Sequence, residues 1–102
     1  MNGIEIICER IIEVALPNDE LRELVIKIGK PFPDPKPGGD WACTFEVTGL
    51  EEKIINTAFG VDALQALLLC IKMIEANLKY LERKINVRFT WLESDDLGLS
   101  MA

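Results

Sequence analysis

Apolar and polar positions alternate along residues 4–16. Ile4, Ile6, Cys8, Ile12, Val14 and Leu16 share one parity, and Glu5, Glu9 and Glu13 fall on the other. A period of two belongs to a strand with one buried face. Arg10 interrupts the apolar parity and is expected to mark a bulge or a bend. Pro17-Asn18-Asp19 reads as a turn, because Pro presets φ while Asn and Asp bond their own backbone. Leu24, Ile26 and Ile28 then alternate with Glu23 and Lys27, so the two segments predict an antiparallel hairpin. Residues 31–39, Pro-Phe-Pro-Asp-Pro-Lys-Pro-Gly-Gly, hold four of the five prolines and predict an extended loop, since Pro cannot donate to a sheet ladder.

A third strand follows. Trp41, Cys43, Phe45 and Val47 are expected to point inward, and Ala42, Thr44, Glu46 and Thr48 outward. After the Gly49-Leu50-Glu51-Glu52 turn, Lys53 to Phe59 forms a weaker fourth strand, its parity blurred by the adjacent Ile54 and Ile55. Gly60 ends it. Asp62-Ala-Leu-Gln65 fits a capping box, and Leu64, Leu67, Leu68, Ile71, Ile74, Leu78 and Leu81 recur at helical spacing to about Arg83. Residues 85–92 alternate once more and predict a fifth strand, ahead of an acidic, irregular tail. The order β-β-β-β-α-β predicts an α+β fold: an antiparallel sheet of four to five strands with one long helix packed on one face.

The helix is more apolar than one sheet requires. Besides the main stripe it carries Ala66, Leu69, Met73, Ala76 and Tyr80. A helix on a single sheet needs one apolar face of about 100°. The second stripe therefore calls for a cover, either the chain's own Leu97-Gly98-Leu99 tail or proline-rich loop, or a second copy. Ile7 and Ile11 lie on the outward parity of the first strand and add apolar surface. Leu69, Met73, Tyr80, Ile7 and Ile11 are thus the candidate interface, and a homodimer is the expected assembly.

With 102 residues the chain makes a single domain, residues 1–102. Its net charge of −6 disfavours nucleic acid, which demands surplus Lys and Arg. Its longest strictly apolar run, Ala66 to Ile71, is far short of the ~20 residues of a membrane span, and Met1-Asn2-Gly3 opens no secretory or myristoylation signal. Ser100-Met101-Ala102 is no prenylation box. Three widely spaced cysteines, Cys8, Cys43 and Cys70, with no histidine, fit a reducing cytoplasm and make no zinc set. No metal and no cofactor are expected.

Chemistry is sparse. Asp34, Asp40, Asp95 and Asp96 are the aspartates outside regular elements beyond the turn and cap positions, and a turn-forming role outweighs cation binding. Gly38-Gly39-Asp40-Trp41 lacks the G-K-[ST] of a phosphate loop. Trp41 and Trp91 are expected in the core, with a stacking surface beside Phe32 as the functional reading. These residues (Phe32, Asp34, Asp40, Trp41, Trp91, Asp95, Asp96) are the candidate ligand or partner surface. No nucleophile has a base, so no catalytic residue is assigned and an enzyme is not expected.

Pro31-Phe-Pro-Asp-Pro35 leading to Gly39-Asp-Trp-Ala-Cys43, Phe59-Gly-Val-Asp-Ala-Leu-Gln-Ala-Leu67, and Thr90-Trp-Leu92 with Asp96-Leu-Gly98 resemble a family of small uncharacterised bacterial proteins over most of residues 20–99. The resemblance implies a stand-alone bacterial cytoplasmic domain and brings no catalytic residues. Three functions follow as expectations. The first is a homodimeric protein-interaction module. The second is an immunity-like acidic inhibitor of a basic toxin. The third is a small-molecule or metal-dependent enzyme using the loop carboxylates.

Overall fold

The computed structural model describes residues 4–36 and 38–99; Met1 to Gly3, Pro37 of the proline-rich loop and the Ser100 to Ala102 end lie outside them. Among the described residues seven elements follow one another: β1 (Ile6–Ala15), β2 (Leu21–Gly29), β3 (Phe32–Pro33), β4 (Trp41–Thr48), β5 (Ile54–Gly60), α1 (Ala63–Lys84) and β6 (Arg88–Thr90). The strands form one antiparallel sheet. β4 pairs with β5 along one edge and with β2 and the short β3 along the other, and β1 and β6 follow beyond β2. With α1 on one face, the fold is the expected α+β sandwich.

The inward parities meet across the ladder. Arg10 stands opposite Ile26, Ile12 opposite Leu24, Ile28 opposite Phe45 and Cys43 opposite Ala58. Their apolar side chains close on Ala66, Cys70, Ile74 and Leu78 of α1 and on Val87 and Phe89. Phe45, Phe89, Leu24 and Cys70 are fully buried.

Several expectations are corrected. The irregularity in β1 falls between Ile6 and Cys8, not at Arg10, which stays in register and has a separate use. The proline-rich loop contributes a two-residue strand, because Asp34 N–H donates to the Asp40 carbonyl at 2.7 Å and closes a hairpin around it. Ala42, Thr44 and Glu46 keep the outward parity yet are buried. β4 lies between neighbouring strands on both sides, with Phe32 and Phe59 beside Ala42, Thr57 beside Thr44, and Lys27 and Ile55 beside Glu46, which Lys53 also pairs at 3.3 Å. The fifth strand shortens to three residues, since Asn86 turns the chain with a φ of 54° before it and Leu92 and Glu93 turn it again after it.

The helix begins as expected. The Asp62 carboxylate accepts the Gln65 amide at 2.8 Å, and Gln65 Oε1 accepts the Val61 amide at 2.6 Å. One of the helix's orphan donors, the Gln65 amide, is thereby satisfied, and the Val61 amide just ahead of the cap is tied to the first turn. Replacing Asp62 by Ala is expected to cost about 1 kcal/mol, read as a lower denaturation midpoint at unchanged m-value.

The buried side of the helix differs from the expected one. Leu64 and Leu68, assigned to the main stripe, are exposed. The buried row is Ala66, Cys70, Ile74 and Leu78, with Leu67, Ile71, Met73 and Leu81 half-buried beside it. Small residues lead this row because the helix begins in contact with backbone. A Cβ on Gly60 would come within 3.0 Å of Ala66 Cα and 2.8 Å of the Gln65 carbonyl carbon.

Candidate functional site

The residues singled out from the sequence do not form one surface. Ile7 and Ile11 are exposed on β1, Ile11 on the sheet face turned away from α1 and Ile7 within the bulge. Leu69, Met73 and Tyr80 sit on α1, over the β5 end of the sheet, where β5 and β4 are its neighbours. The candidate interface is therefore split between two layers and two ends of the molecule.

The ligand candidates split as well. Phe32, Asp34, Asp40 and Trp41 gather at the β3–β4 hairpin, where Asp34 Oδ1 accepts the Lys36 amide at 3.2 Å in a turn. Trp91, Asp95 and Asp96 belong to the tail beyond β6, across β2 and β1 from that hairpin. Asp95 pairs with Arg88 at 2.9 Å, and Asp96 accepts the Gly98 amide at 2.9 Å. Asp34 and Asp96 thus serve turns and Asp95 an ion pair, while Asp40 contributes its backbone carbonyl to the hairpin, in two separate places. Among the described residues no group of three or more Cys, Asp or Glu side chains is arranged to hold a metal ion.

Trp91 has a specific neighbour. The Arg10 guanidinium lies 3.8 Å from the centre of its ring, and Arg10 Nη1 donates to the carbonyls of Leu97 at 2.9 Å and Gly98 at 3.1 Å. The polar intruder on the inner parity of β1 is thus a clamp for the tail. Leu97 and Leu99 pack half-buried on the core, beside Leu78, Glu75 and Glu82 on one flank of the helix. Tyr80 looks the other way, into an open cleft of about 650 Å³ between the end of α1 and the β4–β5 turn, with Leu50, Ile54 and Leu81 on its floor. The tail therefore does not cover the second stripe. Leu69 is 39% and Tyr80 58% exposed, while Met73 is half-buried.

What the stripe adjoins is a bare strand edge, which reading the sequence alone did not identify. Among the described residues β5 pairs only with β4. Its seven residues, Ile-Ile-Asn-Thr-Ala-Phe-Gly, include no charge and no proline. Ile55 and Phe59 stand half-exposed on the outer face either side of Thr57, whose hydroxyl meets that of Thr44 at 2.8 Å. Edges are normally blunted by charge, proline, bulges or brevity. The other edges here are blunted: β3 has two residues including Pro33, β6 has three, and β1 carries Glu9, Arg10 and the bulge. The signal available beforehand was the uncharged run from Ile54 to Gly60.

The thiols are built into the core. Cys43 and Cys70 are buried, Cys43 Sγ lying 3.5 Å from the Gly29 carbonyl, and Cys8 is exposed. Burial pushes the Cys43 and Cys70 thiols above their ordinary value near 9.0, and for Cys70 the neighbouring Cys43 adds to it. The unfolded chain loses these protons first, so it binds fewer protons than the folded chain once the pH exceeds about 9. Stability is therefore complete below that pH and falls as pH rises further, approaching about 1.4 kcal/mol per unit for the strongly raised Cys70, with Cys43 acting in the same direction. Urea unfolding at pH 8, 9 and 10 is expected to show this decline, with a shallower slope in Cys70→Ala.

A family model described as a domain of unknown function (DUF6968) matches residues 8–101. No curated protein and no solved structure matches the chain. No described helix is long and apolar enough to cross a membrane.

Proposed function

We propose, for a chain that belongs to the DUF6968 family, a non-enzymatic protein-interaction module that works by strand addition at the β5 edge in the bacterial cytoplasm. The observation that carries this is the conjunction of an uncharged, proline-free seven-residue edge with an exposed apolar stripe of helix beside it. Main-chain hydrogen bonds along an edge supply affinity, and side chains on the flanking faces supply selectivity. Three unpaired cysteines accord with a reducing compartment.

Amide hydrogen exchange tests the reading without knowledge of the natural partner. The Ile55 and Phe59 amides of β5 point away from β4 and exchange freely on an open edge, whereas the Thr57 amide between them already donates to Asn56 Oδ1 at 2.8 Å. The measurement is made on the purified chain at high concentration, and again with a synthetic peptide carrying residues 53–61 as the probe strand. Slow exchange of the Ile55 and Phe59 amides under either condition supports strand addition. Free exchange under both removes it.

A further inference from the structure

The outer face of β5 and the apolar stripe of α1 each read alike from both ends about a midpoint, and the two midpoints lie within one helical turn of each other. We infer that the strand added at β5 is the β5 of a second copy of this chain, antiparallel, with the axis passing through Thr57. The inference rests on the strand-addition reading and goes further by naming the partner and its register.

Read from both ends, β5 is symmetric in character. With Thr57 facing Thr57 of the second copy, Ile55 faces Phe59, Asn56 faces Ala58 and Ile54 faces Gly60. Ile55 and Phe59 belong to the outer face, so each copy contributes one β-branched and one aromatic member to two identical cross-strand pairs. Such pairs are among the favoured ones in antiparallel sheets. The pairs also extend existing rows. Phe32, Ala42 and Phe59 are aligned within one copy, and Ile55, Glu46 and Lys27 would continue that row in the other.

The helix supplies the independent observation. α1 runs back along β5: Gly60 touches Ala66, and Ile54 shares a cleft with Asn77, Tyr80 and Leu81. Thr57 lies three residues from Gly60, about 10 Å along the strand, which is six to seven residues along a helix. That places the axis near residues 72 and 73. The apolar stripe Leu69, Met73, Ala76 and Tyr80 has its midpoint between Met73 and Ala76, within one helical turn of that position. A two-fold that pairs the strands therefore brings the two stripes together, with Leu69 directed toward Tyr80 of the second copy. An unrelated partner strand would satisfy the edge and leave the stripe uncovered. A second copy satisfies both, as an isologous interface must.

The test is disulfide trapping in a Cys8→Ser background, which leaves Cys43 and Cys70 buried. Residues directly opposite in an antiparallel pair have Cα atoms about 4.5–5.5 Å apart, within disulfide range. Under mild oxidation an equimolar mixture of Ile55→Cys and Phe59→Cys chains is expected to give a covalent heterodimer of twice the 11.5 kDa chain mass. Either variant alone places its two cysteines four residues out of register, about 13 Å apart, and is expected to stay uncrosslinked. Phe59→Lys is expected to weaken self-association at least about 30-fold by sedimentation equilibrium while retaining its circular dichroism spectrum. A mixture that yields no heterodimer, or single variants that crosslink equally well, overturns the two-fold. If the peptide still protects β5 in that case, strand addition to another partner stands; if it does not, both fall.

Discussion

Gly60→Ala is expected to lower stability by about 3 kcal/mol, the upper end of what an overpacked site costs. For a chain of this size that corresponds to a melting point roughly 15 °C lower. The added methyl group would sit within 3.0 Å of Ala66 Cα and 2.8 Å of the Gln65 carbonyl carbon, and closer still to the Ala66 amide nitrogen. All three are helix backbone, which cannot rotate aside as a side chain would. The strand or the first turn of α1 must move, and the reciprocal bonds joining Asp62, Gln65 and Val61 lie in that turn. Gly38→Ala is the control. It meets nothing within 4 Å and bears only the strain of a φ of 70°, about 1 kcal/mol. Ala66→Gly is not expected to rescue Gly60→Ala, because the obstruction is main chain. Thermal unfolding followed by circular dichroism separates these outcomes; equal losses at Gly38 and Gly60 would contradict the close approach.

The second large effect is expected at Arg10. Arg10→Ala removes a guanidinium stacked 3.8 Å from the Trp91 ring centre and two charge-assisted bonds to the tail. A partly desolvated cation–π contact is worth about 1–2 kcal/mol and a charged hydrogen bond about 1.5–3 kcal/mol. The contributions share one group and do not add, so a loss of about 2–3 kcal/mol is expected. The loss is local first. Leu97 and Leu99 lose their anchor, and limited proteolysis is expected to cut within residues 92–99 before the chain melts. Arg10→Lys is not expected to restore protection, because an ammonium lacks the planar fork that stacks and donates together. Gly98 tests the same unit: with a φ of 68° and Trp91 against it, Gly98→Ala is expected to loosen the tail as Arg10→Ala does. An intact tail in Arg10→Ala would show that Leu97 and Leu99 hold themselves.

Periodicity and punctuation made much of the fold readable in advance, for local reasons. The alternation in β1, β2 and β4 follows from each strand having one face toward a core, and the Asp62–Gln65 capping box is a contact between residues three apart. The prospective sites were less legible. Asp34 and Asp96 looked chemical and serve turns. Arg10 looked like a flaw in a strand, because its partners, the Leu97 and Gly98 carbonyls and the Trp91 ring, lie more than eighty residues away along the chain.

The amino-acid sequence by itself determined β1, β2, β4, β5 and α1, their order, the helix start and the excess of apolar surface on α1, since each depends on neighbours a few residues apart. Tertiary structure alone decided which row of that helix is buried, that β4 lies between β5 and β2 with both its faces covered, that the tail takes the flank opposite Tyr80, and that β5 is left as the bare edge. These depend on strand order and on the close contact of Gly60 with Ala66, and no local pattern encodes which of several apolar stripes will find a surface against it.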